Sequence, residues 1–201
     1  MENFAATLLA QAKAYSVPEA LAVVLAVLYL ILAIRQNIWC WACAAASTVI
    51  FATLFFGVAL YMEAALNVFY FGMALYGWAK WYRGEDGRHP LPVTVWPLRI
   101  HVLAVTLILA GSLVSGFLLD TLSDAAFPYI DSLTSWGAVW ATFLVARKVL
   151  ENWWYWILID ATMVYVFWVK NLEFTALLYV AYLLLIPVGL LSWTRSYRAA
   201  T

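Results

Sequence analysis

Seven apolar runs, each close to a membrane's width as a helix, fill most of the chain: about 18–35, 37–57, 61–82, 98–119, 132–148, 152–169 and 172–194. A hydrocarbon core of about 30 Å needs roughly 20 helical residues at about 1.5 Å each. Inside it, backbone N–H and C=O groups are satisfied only within helices or closed barrels. The runs therefore read as seven transmembrane helices in an all-α integral membrane protein. Composition agrees, with 67% of residues hydrophobic, 11% charged and a mean hydropathy of +0.89, against about 45–50% apolar and about 25% charged in soluble domains. The lipid bilayer is thus one partner. Nucleic acid is not, because a formal net charge of zero leaves no basic patch.

Two connections are long. Gly84 to Pro97 is charged and holds Pro90, Pro92 and Pro97, which stop a helix. Asp120 to Asp131 is acidic and contains Pro128. They set the fourth run apart and give a three-one-three arrangement. Its expected parts are an N-terminal surface segment (1–17), a first three-helix bundle (18–82), loops with a linker helix at 98–119 (83–131), a second three-helix bundle (132–195) and a cytoplasmic tail (196–201). Met1 to Ser16 has no basic start followed by an apolar stretch, so it is read as a surface helix rather than a signal peptide.

Charge orients the spans. With the N-terminus outside, Arg35, Lys80, Arg83, Arg88, Arg99, Arg147, Lys148, Arg195 and Arg198 fall on the cytoplasmic side, leaving Lys13 and Lys170 outside. The loop holding Asp120, Asp124 and Asp131 is then external and carries no base. Positive residues favour the inner face, so the C-terminus is expected in the cytoplasm.

The chain is also built twice. Asn37-Ile38-Trp39-Cys40-Trp41 is echoed 115 residues later by Asn152-Trp153-Trp154-Tyr155-Trp156, each pentad preceded by an Arg (Arg35, Arg147). Tyr70, Trp81 and Arg83 match Tyr182, Trp193 and Arg195, 112 residues on. One extra span between the halves makes the repeats parallel, and membrane proteins of this kind bind their substrate where the repeats meet. Transport is the function this favours.

Asp160 is the sharpest residue. It lies about 12 Å into the sixth span, where an ionised carboxylate is expensive enough to default to a functional role. Trp153, Trp156 and Val164 share its helical face. Two indoles and a carboxylate suit a flat cation; a structural bond to a hydroxyl across the bundle is the plainer reading. At the 115-residue offset its counterpart in the first repeat is Ala45. On the third span Glu63, Asn67, Tyr70 and Phe71 form one stripe, with Asn67 read either as a substrate contact or as packing glue. Tyr179 and Tyr182 on the seventh span are further pocket candidates. Asn37 and Asn152 read as helix caps. Trp39, Trp41, Trp78, Trp81 and Trp154 read as interfacial belt residues, the default also for Trp156. Gly111, Ser112, Ser115 and Gly116 suggest close helix packing.

Other chemistries find no support. No phosphate-binding Gly-rich loop with Lys-Ser/Thr is present. Cys40 and Cys43 read as core residues, and His89 and His101 as interfacial ones without metal-ligand company. The seventh span has no Lys for a retinal Schiff base. No metal, cofactor or catalytic residue is expected. The competing class is a membrane receptor or scaffold without transport.

Asn152-Trp153-Trp154-Tyr155-Trp156 with Asp160, together with Ala65-Leu66-Asn67-Val68-Phe69-Tyr70 leading into Tyr76-Gly77-Trp78-Ala79-Lys80-Trp81, resembles the Pnu family of bacterial vitamin transporters, PnuC-like nicotinamide riboside carriers among them. The resemblance spans about residues 18 to 195. It implies a SWEET-like fold of two three-helix bundles and a linker helix, a homotrimer in the bacterial inner membrane, and facilitated diffusion followed by intracellular phosphorylation. Nicotinamide riboside is the first substrate it suggests, thiamine the second; riboflavin carriers also occur in the family. Nicotinamide riboside members often have Gln where Asn67 stands. The substrate-binding set expected is Asn67, Tyr70, Phe71, Trp153, Trp156, Asp160 and Tyr182.

Overall fold

The computed structural model describes residues 7, 8, 10, 11, 16–57, 61–84, 90–123 and 126–200. Lys13, Arg88, His89 and Asp124, used above, lie outside them. Seven long helices follow in order: α1 (Val17–Ile34), α2 (Trp39–Gly57), α3 (Tyr61–Arg83), α4 (Leu98–Leu122), α5 (Pro128–Ala146), α6 (Asn152–Val169) and α7 (Glu173–Ala200). The all-helical expectation holds.

Local chemistry sets several boundaries. A capping box opens α1: the Ser16 side chain accepts from the Glu19 N–H, and the Glu19 carboxylate accepts from the Ser16 N–H at 2.7 Å. Helix α5 begins four residues earlier than expected because Pro128 fits a first turn, where no N–H is needed. Asn37 caps α2, its side-chain oxygen accepting from the Trp39 N–H at 3.0 Å. Asn152 does not cap α6; its amide donates to the Val149 carbonyl at 2.7 Å instead.

Four helices, α1, α2, α4 and α7, are long and apolar enough to cross a membrane by length and composition. Helices α3, α5 and α6 are less apolar by the same measure. These carry the polar and weakly hydropathic groups, Asn67, Lys80, Asp131, Asn152, Asp160 and many aromatics among them.

Helix α2 packs against α1 and α3, and α6 packs against α5 and α7. The two groups meet through α3 on α5 and through α1 on α7, while the backbone of α4 lies close to α5 alone. Gly111 and Gly116 let α4 approach Trp136 and Tyr129 of α5, and the Trp136 indole N–H donates to the Ser115 hydroxyl at 3.2 Å. The close packing expected of that stripe is present.

The two halves repeat contact for contact, 112 residues apart. Trp41 meets Trp81 edge-on, with centroids 5.5 Å apart; Trp153 meets Trp193 at the same 5.5 Å. Trp41 lies on Gly77 and Trp153 on Gly189. The Trp81 indole N–H donates to the Val145 carbonyl at 3.3 Å, and that of Trp193 donates to the Ala33 carbonyl at 3.0 Å. Helices α1 and α5 both end in a left-handed residue, Gln36 (φ 53°) and Lys148 (φ 51°). The 115-residue register read from the pentads is therefore wrong. The structural equivalent of Trp41 is Trp153, that of Asn37 is Val149, and that of Asp160 is Thr48 rather than Ala45. This also explains why only Asn37 caps.

The same contacts move tryptophans out of the expected belts. Trp41 and Trp81 are buried, whereas Trp39 and Trp154 stay exposed. The C-terminal ends of α1, α3, α5 and α7 gather at one end of the molecule. There the buried Lys148 ammonium lies 4.5 Å from the centroid of a Trp81 ring and donates to the Gln36 side chain at 3.2 Å. Gln36 in turn donates to the Ser196 hydroxyl at 2.7 Å. The 90–97 segment is strapped to the α5–α6 turn by Thr94 N–H to Lys148 carbonyl (3.0 Å) and Leu150 N–H to Thr94 carbonyl (2.8 Å). His101, expected to be interfacial and without metal-ligand company, contacts the Tyr155 hydroxyl at 3.0 Å.

Candidate functional site

A cavity of about 360 Å³ opens between the two helix groups, within the size range of small-molecule sites. All six of their helices contribute. Helix α1 supplies Ala26 and Tyr29; α2 supplies Trp41, Ala44, Ser47 and Thr48; α3 supplies Leu66 and Tyr70. From the second group come Thr134, Ser135, Ala138 and Thr142 of α5, Trp156, Ile159, Asp160 and Met163 of α6, and Tyr179 of α7. Such a wall is mostly aromatic and aliphatic, with a few polar groups to orient a ligand.

Asp160 is the only charged side chain in that wall among the described residues, and it is 5% exposed. No described residue hydrogen-bonds or ion-pairs with its carboxylate. The structural reading, a bond to a hydroxyl across the bundle, is therefore not what the structure holds. Its electrostatic neighbour is the Tyr182 phenol, which stands edge-on to Tyr179 with centroids 5.5 Å apart. A buried carboxylate without a countercharge either holds a proton or draws a countercharge from outside the protein.

Most serine and threonine hydroxyls in the wall already have a proton acceptor. Ser47 donates to the Ala22 carbonyl at 2.9 Å, Thr48 to that of Ala44 at 2.9 Å, Thr134 to that of Ile130 at 2.9 Å, and Thr142 to that of Ala138 at 2.7 Å. They face a ligand as acceptors. Ser135 alone of these makes no hydrogen bond with a described residue, and the buried indole N–H of Trp41 also lacks an acceptor. The wall thus offers both kinds of hydrogen bond beside one negative charge. Among the described residues, no three His, Cys, Asp or Glu side chains come together to hold a metal.

Of the seven residues expected at a site, the structure brings Tyr70, Trp156 and Asp160 into one wall. Tyr182 stands behind Tyr179. Trp153 is elsewhere: it is buried against Trp193 and Gly189 and acts in packing. The Asn67 amide donates to the carbonyl of Glu63, one turn back at 2.9 Å, and neither it nor Phe71 lines the cavity. The residues that were missed sit on α1, α2 and α5: Tyr29, Trp41, Ser47, Thr48, Thr134, Ser135 and Thr142. One signal was available, since position 48 is where the 112-residue register of Tyr70 and Tyr182 places the partner of Asp160.

Comparison with known proteins fits this architecture. The family model described as nicotinamide mononucleotide transporter matches residues 16–195. The riboflavin/roseoflavin transporter RibM of Streptomyces davaonensis is 26% identical over 175 residues, which cover 85% of this chain and 81% of RibM. The nicotinamide riboside transporter PnuC of Escherichia coli is 25% identical over 174 residues, 74% of this chain and 73% of that protein. The crystal structure of the vitamin B3 transporter PnuC shares the fold, with a TM-score of 0.74 at 24% identity, covering 97% of this chain and 90% of its own. The chain belongs to the nicotinamide mononucleotide transporter family and is a PnuC-like membrane transporter.

Proposed function

We propose that the protein carries a flat, cationic B-vitamin or nucleoside, nicotinamide riboside first, through the cavity at Asp160. The observation that carries this reading is a carboxylate that, among the described residues, is unpaired and the only charge in an aromatic wall. A pyridinium ring supplies the missing positive charge and stacks on indole and phenol faces. A phosphorylated form such as the mononucleotide is disfavoured, because among the described residues no Lys or Arg lines the cavity and Asp160 repels the phosphate. Riboflavin has an uncharged ring system and would leave the carboxylate unpaired. Thiamine carries a thiazolium and is the second reading, favoured by the same charge.

In this account two parallel three-helix bundles, SWEET-like in arrangement with α4 as linker, rock about the cavity and open it to one side at a time. The protein sits in the bacterial inner membrane as a homotrimer, with its N-terminus outside and the basic end holding Arg35, Arg147 and Arg195 in the cytoplasm. Transport is facilitated diffusion, made one-way by intracellular phosphorylation. Among the described residues no second carboxylate, His, Lys or Arg lines the wall beside Asp160, which favours a uniporter over proton coupling. Titrating purified protein with nicotinamide riboside, thiamine and riboflavin while following tryptophan fluorescence tests the reading. Saturable quenching by nicotinamide riboside supports it; quenching by riboflavin alone sinks it.

A further inference from the structure

The cavity has two equivalent polar positions, and only one carries a charge. In the 112-residue register, Thr48 of α2 stands where Asp160 stands on α6, and both line the cavity. The register rests on paired contacts rather than on sequence likeness: Trp41 on Trp81 with Trp153 on Trp193, and Trp81 to Val145 with Trp193 to Ala33. Neighbouring positions differ in the same sense. Where α6 has Trp156 and Ile159, α2 has the smaller Ala44 and the hydroxyl of Ser47. At these three paired positions α6 is therefore charged and bulky and α2 small and hydroxylated, although Trp41 of α2 lines the cavity as well.

We propose that Thr48 is a specificity-determining residue that takes the uncharged, hydroxyl-bearing end of the substrate, while Asp160 takes its cationic ring. This rests on the functional reading above. The Thr48 proton is committed to the Ala44 carbonyl at 2.9 Å and the Ala45 carbonyl at 3.1 Å. Its oxygen therefore faces the cavity as an acceptor, suited to a donating sugar hydroxyl. Ser47 is committed likewise, to Ala22 of α1 at 2.9 Å. A ligand with a cation at one end and hydroxyls at the other is then held in one orientation across the axis between the helix groups. A cation without the sugar uses one position only.

Two ligands and two variants separate the claims. Calorimetric titration of folded protein in detergent compares nicotinamide riboside with N-methylnicotinamide, which has the pyridinium but no sugar. Thr48→Val keeps the side chain's shape and removes the acceptor. It should weaken nicotinamide riboside by at least about fivefold, roughly the worth of one hydrogen bond, and leave N-methylnicotinamide within twofold. Asp160→Asn should weaken both. Equal effects of Thr48→Val on the two ligands, or no effect on either, overturn the proposal for Thr48. If instead Asp160→Asn leaves both affinities unchanged, the underlying reading of the cavity fails. Thr48→Ala serves the same comparison if the valine variant does not fold.

Discussion

The indole N–H of Trp193 on α7 donates to the carbonyl oxygen of Ala33 on α1 at 3.0 Å, tying the second helix group to the first. Trp81 makes the reciprocal tie to Val145 at 3.3 Å, and the two indoles lie 6.3 Å apart. Both carbonyls also accept a turn N–H, from Gln36 at 2.9 Å and Lys148 at 3.0 Å. Losing an indole donor therefore leaves no orphaned acceptor. Trp193→Phe should lower unfolding stability through one lost bond, about 0.5–1.5 kcal/mol, plus the lost edge-on contact with Trp153. Trp81→Phe should cost about the same. Chemical denaturation of both variants in detergent checks this, and a large cost for one with none for the other would contradict the equivalence of the ties.

Gly77 and Gly189 have no room for a side chain. A Cβ on either would run into the six-membered ring of Trp41 or Trp153, and both indoles are fully buried. Gly77→Ala and Gly189→Ala should each destabilise the protein by at least about 1–3 kcal/mol, the usual range for overpacking a filled core. Gly72→Ala is the control, since a Cβ there meets nothing, and Ala favours a helix over Gly by roughly 1 kcal/mol. Thermal unfolding should rank Gly72→Ala at or above wild type and the other two well below it.

Lys148, in the turn between α5 and α6, is 7% exposed and has no described carboxylate against it. Burial pushes its ammonium down from 10.5 to about 8. The unfolded chain keeps that proton up to about 10.5, so over pH 8 to 10.5 the unfolded state binds more protons than the folded one. Stability from this group rises with pH across that window and is flat below it. Comparing the protein with Lys148→Met cancels the other titrations. The stability difference should shift toward the wild type between pH 8 and pH 10, and a difference independent of pH would refute the burial argument.

Sequence showed the membrane class and the number of helices and singled out Asp160, which the structure places in the cavity wall, because apolar length and a lone intramembrane acid are properties of single segments. Register was harder. The visible pentad likeness placed Asn37 opposite Asn152, although the structural partners are Trp41 and Trp153. Composition favours that error: with twelve tryptophans in the chain, indoles align by chance at several offsets. The matches at Tyr70, Trp81 and Arg83 held the right spacing, and applying it throughout would have found Thr48. Which face of α3 meets the cavity was not legible either. Asn67 and Tyr70 are three residues apart, yet only Tyr70 reaches the wall while Asn67 turns back on its own helix. Likewise Trp153 and Trp156 share a stripe, but a glycine on α7 draws Trp153 into packing.

The charge of Asp160 is the centre of the account, and uptake of labelled nicotinamide riboside into proteoliposomes tests it most directly. Wild-type protein should fill the vesicles to the outside concentration, with no response to a protonophore. Asp160→Asn, which keeps the size and removes the charge, should cut the initial rate at low substrate by about thirtyfold or more, the equivalent of about 2 kcal/mol lost from a buried charge pair. Unchanged uptake by the folded Asn variant would show that the carboxylate does not meet the substrate.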